Sequence, residues 1–157
     1  MMEEELLKFD RNGYLQPYDV VSVSWLMFAQ TFGQGVHRGQ LLTDYELFLS
    51  TLRNVLQVNH RQWVDGSFIS EQEQPGDIDV IIFVPYTEFG GVLDRLKRLK
   101  EEWIGRIDCY FVEAFPADHK KYEISRADEL DWYHFLRTDR KKRPKGIIEL
   151  QFDYGDQ

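Results

Sequence analysis

The chain has a single cysteine, Cys109, among its 157 residues, which excludes an intramolecular disulfide. It also lacks any apolar run close to the ~20 residues that a membrane-spanning helix needs. Its first residues, Met1 to Glu5, are acidic where a secretory signal peptide carries positive charge. These absences predict a cytoplasmic protein of a reducing compartment, with no membrane partner.

Basic residues are also scarce, since 19 lysines and arginines face 27 acidic residues and give a net charge of −8. Long nucleic acids are bound largely through lysine and arginine contacts to phosphate, so this balance argues against a broad nucleic-acid surface. A small nucleotide ligand stays open. The four histidines lack the spacing of a zinc site: His37, His60, His119 and His134.

Apolar residues make up 43% of the chain and aromatic residues 15%, which predicts a folded protein. The length predicts one domain over residues 1–157, and the sequence shows no internal repeat, linker or low-complexity segment. Four or five strands with helices between some of them predict an α+β domain.

Two apparent capping boxes, Thr43-x-x-Glu46 and Ser125-x-x-Asp128, predict helix starts. The strand around Asp108 is predicted to be buried on both faces. The last helix is predicted to contact the core through Leu130, Tyr133 and Leu136. The predicted elements are a turn at Asn12-Gly13, a buried helix from Trp25 to Phe32, a helix from Thr43 to about Val58, a helix after Gly90-Gly91, a strand from Gly105 to Ala114, a helix from Ser125 to about Thr138 and a strand from Gly146 to Phe152.

The most informative stretch runs from Trp63 to Val84. It predicts a strand ending in Gly66-Ser67, a polar crossing and a second strand that opens with Asp77-Ile78-Asp79. Residues i and i+2 of a strand share a face, so the two carboxylates would repel each other by on the order of 3 kcal/mol. Mg²⁺ bound between them would relieve this repulsion, and the Gly-Ser turn offers donors to a phosphate.

Gly66-Ser67, nine intervening residues and Asp77-Ile78-Asp79 within apolar flanks resemble the signature of the DNA polymerase β-like nucleotidyltransferase superfamily. The match to the third carboxylate of that superfamily is Asp108. The chain is also similar to a family of small bacterial nucleotidyltransferase-like proteins of unassigned role. The similar segments span most of the chain: Phe9 to Leu15, Val64 to Val84, Ile107 to Val112 and Lys145 to Leu150.

The resemblance implies a short mixed sheet of four to five strands backed by helices. It implies that Asp77 and Asp79 hold two Mg²⁺ ions, for which Mn²⁺ can substitute, and that Asp108 holds one of them. Gly66 and Ser67 would bind the outer phosphates of a nucleoside triphosphate. The implied reaction transfers a nucleoside monophosphate to an acceptor hydroxyl on a protein, an RNA end or a small molecule.

Small members of this superfamily occur in toxin–antitoxin or phage-defence pairs, and the acidic balance favours a protein or small-molecule acceptor over a long nucleic acid. The alternative is a non-catalytic nucleotide-binding or antitoxin-like protein, with the apolar segment from Trp25 to Phe32 as its partner interface. A homo-oligomer and a toxin or antitoxin partner both stay open.

Individual site residues also have alternative interpretations. Asp77 could serve only a turn after Pro75, and the partner of Asp108 could be Arg106 instead of a metal. Cys109 is predicted to face the core, on the opposite side of its strand from Asp108. Two further acids are assigned supporting places around the site: Asp65 and Glu113.

Two basic segments are predicted to be solvated, with phosphate binding as the alternative. They are the helix face with Arg95, Lys97, Arg98 and Lys100, and the loop from Arg137 to Lys145. The crossing from Phe68 to Gly76 holds two acids and no arginine, which predicts a weak grip on triphosphate from that segment.

Overall fold

The computed structural model describes residues 7–154. A five-stranded mixed sheet in the order β3-β7-β4-β5-β6 forms its centre, and a two-stranded ribbon, β1-β2, lies beside it. The strands are β1 Lys8–Phe9, β2 Leu15–Gln16, β3 Val20–Ser22, β4 His60–Asp65, β5 Ile78–Pro85, β6 Ile107–Ala114 and β7 Ile147–Phe152. The helices are α1 Trp25–Phe32, α2 Val36–Val55, α3 Tyr86–Trp103 and α4 Tyr122–Leu136, with a 3₁₀ turn at Ser67–Ile69.

The sheet is antiparallel at its centre and parallel at both edges. β4 pairs antiparallel with both β5 and β7, while β5 pairs parallel with β6 and β7 pairs parallel with β3. Parallel neighbours need a crossover, and α3 makes the one between β5 and β6. The prediction of an α+β domain with a short mixed sheet backed by helices is thus confirmed.

The two faces of the sheet are covered unequally. The larger core joins one face to α1, α2 and α3, and includes Phe28, Tyr45, Leu96 and Val80. The smaller core joins the other face to α4 through Trp63, Ile81, Phe83, Val112, Ile147 and Leu136. Because α4 packs on only part of that face, the edge where β5 and β6 begin is left open as a cleft.

Three predicted helix starts are wrong. α2 begins at Val36, and the Thr43 hydroxyl donates to the Gly39 carbonyl inside the helix. α4 begins at Tyr122, and Ser125 instead joins the helix to β6, donating to the Glu113 carbonyl and accepting from the Phe115 amide. α3 begins at Tyr86, so Gly90-Gly91 lies within it. The hydroxyls of both apparent capping boxes are used elsewhere.

The apolar helix from Trp25 to Phe32 is confirmed, and Ser24 caps it by accepting from the Met27 amide at 3.1 Å. Phe28 and Phe32 are fully buried, and Phe9 of the ribbon packs edge-on against Phe32. The helix therefore uses Phe28 and Phe32 within its own chain, while Leu26 is 65% exposed on its outer side.

Two predictions of burial also fail. The second face of β6 is covered only in part, because Val112 packs in the smaller core whereas Tyr110, on the same face, lines the open cleft and is 39% exposed. Leu130 of α4 is exposed, although Tyr133 and Leu136 pack against the smaller core as expected. Among residues 7–154, no helix is long and apolar enough to cross a membrane.

Candidate functional site

Three aspartates form a row across the open edge of the sheet. The register pairs Asp65 of β4 with Asp79 of β5, and Asp79 with Asp108 of β6. Paired residues on adjacent strands share a face and lie roughly 5 Å apart. Asp77 immediately precedes β5, and it lies close enough to Asp79 and Asp108 for their charges to repel. The structure therefore brings together all three carboxylates that the sequence singled out, and adds Asp65 to them.

The charges in this row are poorly compensated. Burial, followed by repulsion from Asp77, Asp108 and Asp65, raises the pKa of Asp79 to about 7. Burial and the nearby Asp108 also raise the pKa of Asp77. A pKa near 7 for the Asp79 carboxyl group indicates that its ionised form is unfavourable in this row. The row would therefore favour binding of a cation.

Asp65 lies at the buried end of the row and is only 3% exposed. Its Oδ2 accepts from Lys145 Nζ at 3.0 Å, while its Oδ1 has no hydrogen-bond partner. Burial raises its pKa to about 6, against the opposing effect of Lys145. Sequence reasoning assigned Asp65 a supporting place, whereas the structure makes it a member of the row itself.

Gly66 connects the row to the turn that follows β4. Its φ of 82° is disfavoured for other residues, and a β-carbon at this position would lie 2.0 Å from Asp79 Oδ2. Ser67 then opens the 3₁₀ turn, and its carbonyl accepts from the Ser70 hydroxyl. The glycine is thus required by the close approach of Asp79, in addition to any phosphate that the turn binds.

The partners of Asp108 differ from those considered from the sequence. Lys100 of α3 places its Nζ 3.8 Å from Asp108 Oδ1, and the Tyr110 hydroxyl lies 3.4 Å from Oδ2. Arg106 instead pairs with Asp44, at 3.8 Å. Lys100 therefore does not belong to the solvated face of its helix, although Arg95, Lys97 and Arg98 are exposed as predicted.

Two further predictions concern β6. Cys109 is fully buried in the larger core, as expected. Glu113 is wrongly assigned to the site, because it pairs with Val84 at the far end of the strand and lies on the opposite face from Asp108.

The carboxylate row suits a divalent metal in its donor chemistry. Mg²⁺ takes oxygen ligands, and this row offers several carboxylates whose repulsion a cation would relieve. No group of three or more histidine, cysteine, aspartate or glutamate side chains between residues 7 and 154 is arranged to hold a metal ion as it stands.

The cleft above the row has a volume of about 820 Å³. Asp65, Asp79 and Asp108 lie on its sheet side, and the end of α4 and the loop after it form the other side. Lys145 and Arg140 of the basic loop line this cleft, so part of that loop is placed where a phosphate could bind. Arg143 is used differently, since it pairs with Asp139 at 2.7 Å.

The crossing between β4 and β5 is held by an arginine from elsewhere in the chain. Arg38 of α2 donates to the carbonyls of Phe32, Phe68, Ser70 and Gln72 at 2.6 to 3.1 Å. It contacts backbone oxygens rather than a free anion site. Its role is therefore to fix the turn that carries Gly66 and Ser67.

Replacing Arg38 with methionine should lower the free energy of unfolding by about 1–3 kcal/mol, because part-buried carbonyls lose their donors. Urea denaturation checks the stability, and hydrogen exchange over residues 66–76 checks the turn. Arg98→Met, on the exposed face of α3, is the matched control. Equal midpoints for both variants would show that Arg38 does not hold the crossing.

Sequence reasoning missed the role of Arg38, the contact of Lys100 with Asp108 and the pairing of Lys145 with Asp65. The place of Asp65 in the row, beyond the supporting place assigned to it, could have been predicted, since it shares a strand face with Trp63 and immediately precedes the Gly-Ser turn. No local sequence pattern predicts the contacts of Arg38, Lys100 and Lys145, because each side chain lies in a different part of the chain from the group that it contacts.

Comparison with family models matches residues 7–151 to a family of unknown function, DUF6932. No curated protein and no solved structure matches the chain. Since the family match covers most of the chain, including the whole carboxylate row, the protein belongs to the DUF6932 family.

Proposed function

We propose that the protein is a metal-dependent nucleotidyltransferase of the DNA polymerase β-like superfamily. The observation that carries this proposal is the row of Asp65, Asp79 and Asp108 across three adjacent strands, with the Gly66 turn packed against its middle member. Carboxylates that repel one another beside a tight Gly-Ser turn suit binding of a metal–triphosphate complex. The mixed sheet with helices on both faces is compatible with the catalytic core of that superfamily.

In this proposal Asp77, Asp79 and Asp108 hold two Mg²⁺ ions, or Mn²⁺ in their place. Bound Mg²⁺ supplies charge neutralisation at the phosphates and lowers the pKa of the acceptor hydroxyl. Gly66 and Ser67 donate to the outer phosphates, and Lys145 adds positive charge beside them. The acceptor oxygen bonds to the α-phosphorus, the bond from that phosphorus to pyrophosphate breaks, and the hydroxyl proton passes to solvent.

The acceptor is proposed to be a protein side chain or a small molecule. The net charge of −8 opposes a long nucleic acid, and the cleft is the size of a small-molecule site. A protein acceptor would suit a toxin–antitoxin or phage-defence pair, in which one protein modifies the other.

A second candidate is a nucleotide-binding protein without turnover, which acts by forming a complex with a partner. The observation that favours it is Lys100, which already neutralises part of the charge on Asp108. Release of pyrophosphate in the presence of Mg²⁺ and an acceptor would decide for the enzyme.

The direct test is isothermal titration with the four nucleoside triphosphates, with and without Mg²⁺. We expect metal-dependent binding by the wild type that Asp77→Ala/Asp79→Ala loses. Asp94→Ala/Asp118→Ala is the matched control, because it removes the same charge from exposed positions. Binding that ignores Mg²⁺, or that survives in the double variant of the site, would contradict the proposal.

A further inference from the structure

Three aromatic side chains line the cleft next to the carboxylate row: Tyr110, Trp132 and Phe135. The Tyr110 and Trp132 ring centroids are 5.1 Å apart and tilted by 44°. Trp132 and Phe135 are 6.0 Å apart and nearly perpendicular, at 84°. The rings therefore form a concave corner, here called the aromatic corner, and not a closed stack.

The aromatic corner is open to a ligand. Phe135 is 72% exposed and Tyr110 is 39% exposed, although each has an aromatic neighbour. A planar group entering the cleft could lie face-on against one ring and meet another ring by its edge, as aromatic groups prefer. Phe135 is largely exposed to water in the free protein. Covering its ring with such a group would therefore add favourable burial of apolar surface.

The two sides of the cleft differ in chemistry. On the β4 side, Lys145, which donates to Asp65, brings positive charge into the cleft beside Gly66. On the β6 side, Tyr110 follows Asp108 on the same strand face and begins the aromatic corner. The two sides are about 10 Å apart, since two strand spacings separate β4 from β6. A ligand that carries phosphates at one end and a planar ring at the other matches both sides.

We propose that the aromatic corner of Tyr110, Trp132 and Phe135 binds the nucleobase of the triphosphate, and that it favours purines over pyrimidines. This inference rests on the proposed function and names the part of the substrate that the open face of β6 recognises. Stacking on aromatic side chains accepts any base and strengthens with ring area, so ATP and GTP should bind more tightly than CTP and UTP.

The test compares MgATP with magnesium tripolyphosphate, which has the phosphates but no base. Phe135→Ala should weaken ATP binding roughly 5- to 100-fold, as expected for loss of one stacking partner, and leave tripolyphosphate binding unchanged. Phe135→Trp should restore ATP affinity. Ile124→Ala, an exposed position on the same helix outside the cleft, is the control and should change neither affinity.

Fluorescence gives a second measurement. ATP, but not tripolyphosphate, should quench the emission of Trp132, obtained as the difference between the wild type and Trp132→Phe. Unchanged ATP affinity in Phe135→Ala would overturn the inference, and the aromatic corner would then be a candidate site for the acceptor. An equal loss of affinity for ATP and for tripolyphosphate would also overturn it. If the wild type binds tripolyphosphate and ATP with equal affinity, only the base site is refuted. If the wild type binds neither ligand, the proposed function fails too.

Discussion

Asp79→Asn should make the metal-free protein more stable and at the same time abolish its response to Mg²⁺. Burial and three neighbouring carboxylates raise the pKa of Asp79 to about 7, so its ionised form is unfavourable in the folded state. Asparagine keeps the shape and removes the charge. Discounted for partial solvent screening, the gain is about 1–3 kcal/mol above pH 7. A variant that gains stability while losing a ligand response marks a functional position.

The pH dependence of this gain has a definite sign. Between its ordinary pKa of 3.8 and its folded value of about 7, Asp79 binds a proton more readily in the folded protein than in the unfolded chain. Stability contributed by this group therefore falls as the pH rises through that window. The advantage of asparagine should be absent below the window and complete above it.

Urea denaturation in EDTA at both ends of the window measures the gain, and thermal unfolding with added Mg²⁺ and ATP measures the response. We expect both ligands together to raise the unfolding temperature of the wild type and to leave Asp79→Asn unchanged. Asp94→Asn, on the exposed face of α3, should behave as the wild type. If Asp79→Asn is instead less stable in EDTA, the carboxylate serves the fold and not a metal.

Much of this site follows from local rules. The D-x-D pattern predicts that Asp77 and Asp79 lie close together at the beginning of β5, and the apolar sequence around Asp108 identifies its strand correctly. The sheet register then aligns Asp79 with Asp108, which the sequence alone did not determine. The Gly-Ser motif predicted the position of the turn but not why it needs a glycine, since the close approach of Asp79 to Gly66 depends on the pairing of β4 with β5.

What could not be predicted depends on contacts between distant parts of the chain. Lys145 meets Asp65 across 80 positions, and Arg38 meets the Phe68 carbonyl across 30. One failed capping box has the same cause, because Ser125 bonds to β6 instead of its own helix end, whereas Thr43 bonds to the Gly39 carbonyl within α2. Local patterns predict which hydroxyls can cap a helix, while tertiary packing decides which ones do.

Gly66→Ala should damage the site through a single added methyl group. The new β-carbon would lie 2.0 Å from Asp79 Oδ2 and 2.9 Å from its Cγ, so the carboxylate must swing out of the row. Misplacing one ligand in this way should lower the affinity for the magnesium–triphosphate complex roughly 10- to 100-fold. The φ of 82° adds backbone strain, and together these effects should cost about 1–3 kcal/mol of stability.

A double-mutant cycle separates the two causes. In an Asp79→Ala background the clashing Oδ2 and Cγ are gone, so Gly66→Ala should keep only its backbone penalty and cost less than in the wild type. Gly76→Ala, in the same crossing with no atom within 4 Å of the new methyl group, is the control and should change binding little. An equal penalty in both backgrounds would assign the whole effect to φ. A smaller penalty in the Asp79→Ala background would show that the glycine is there because Asp79 occupies the space of its missing side chain.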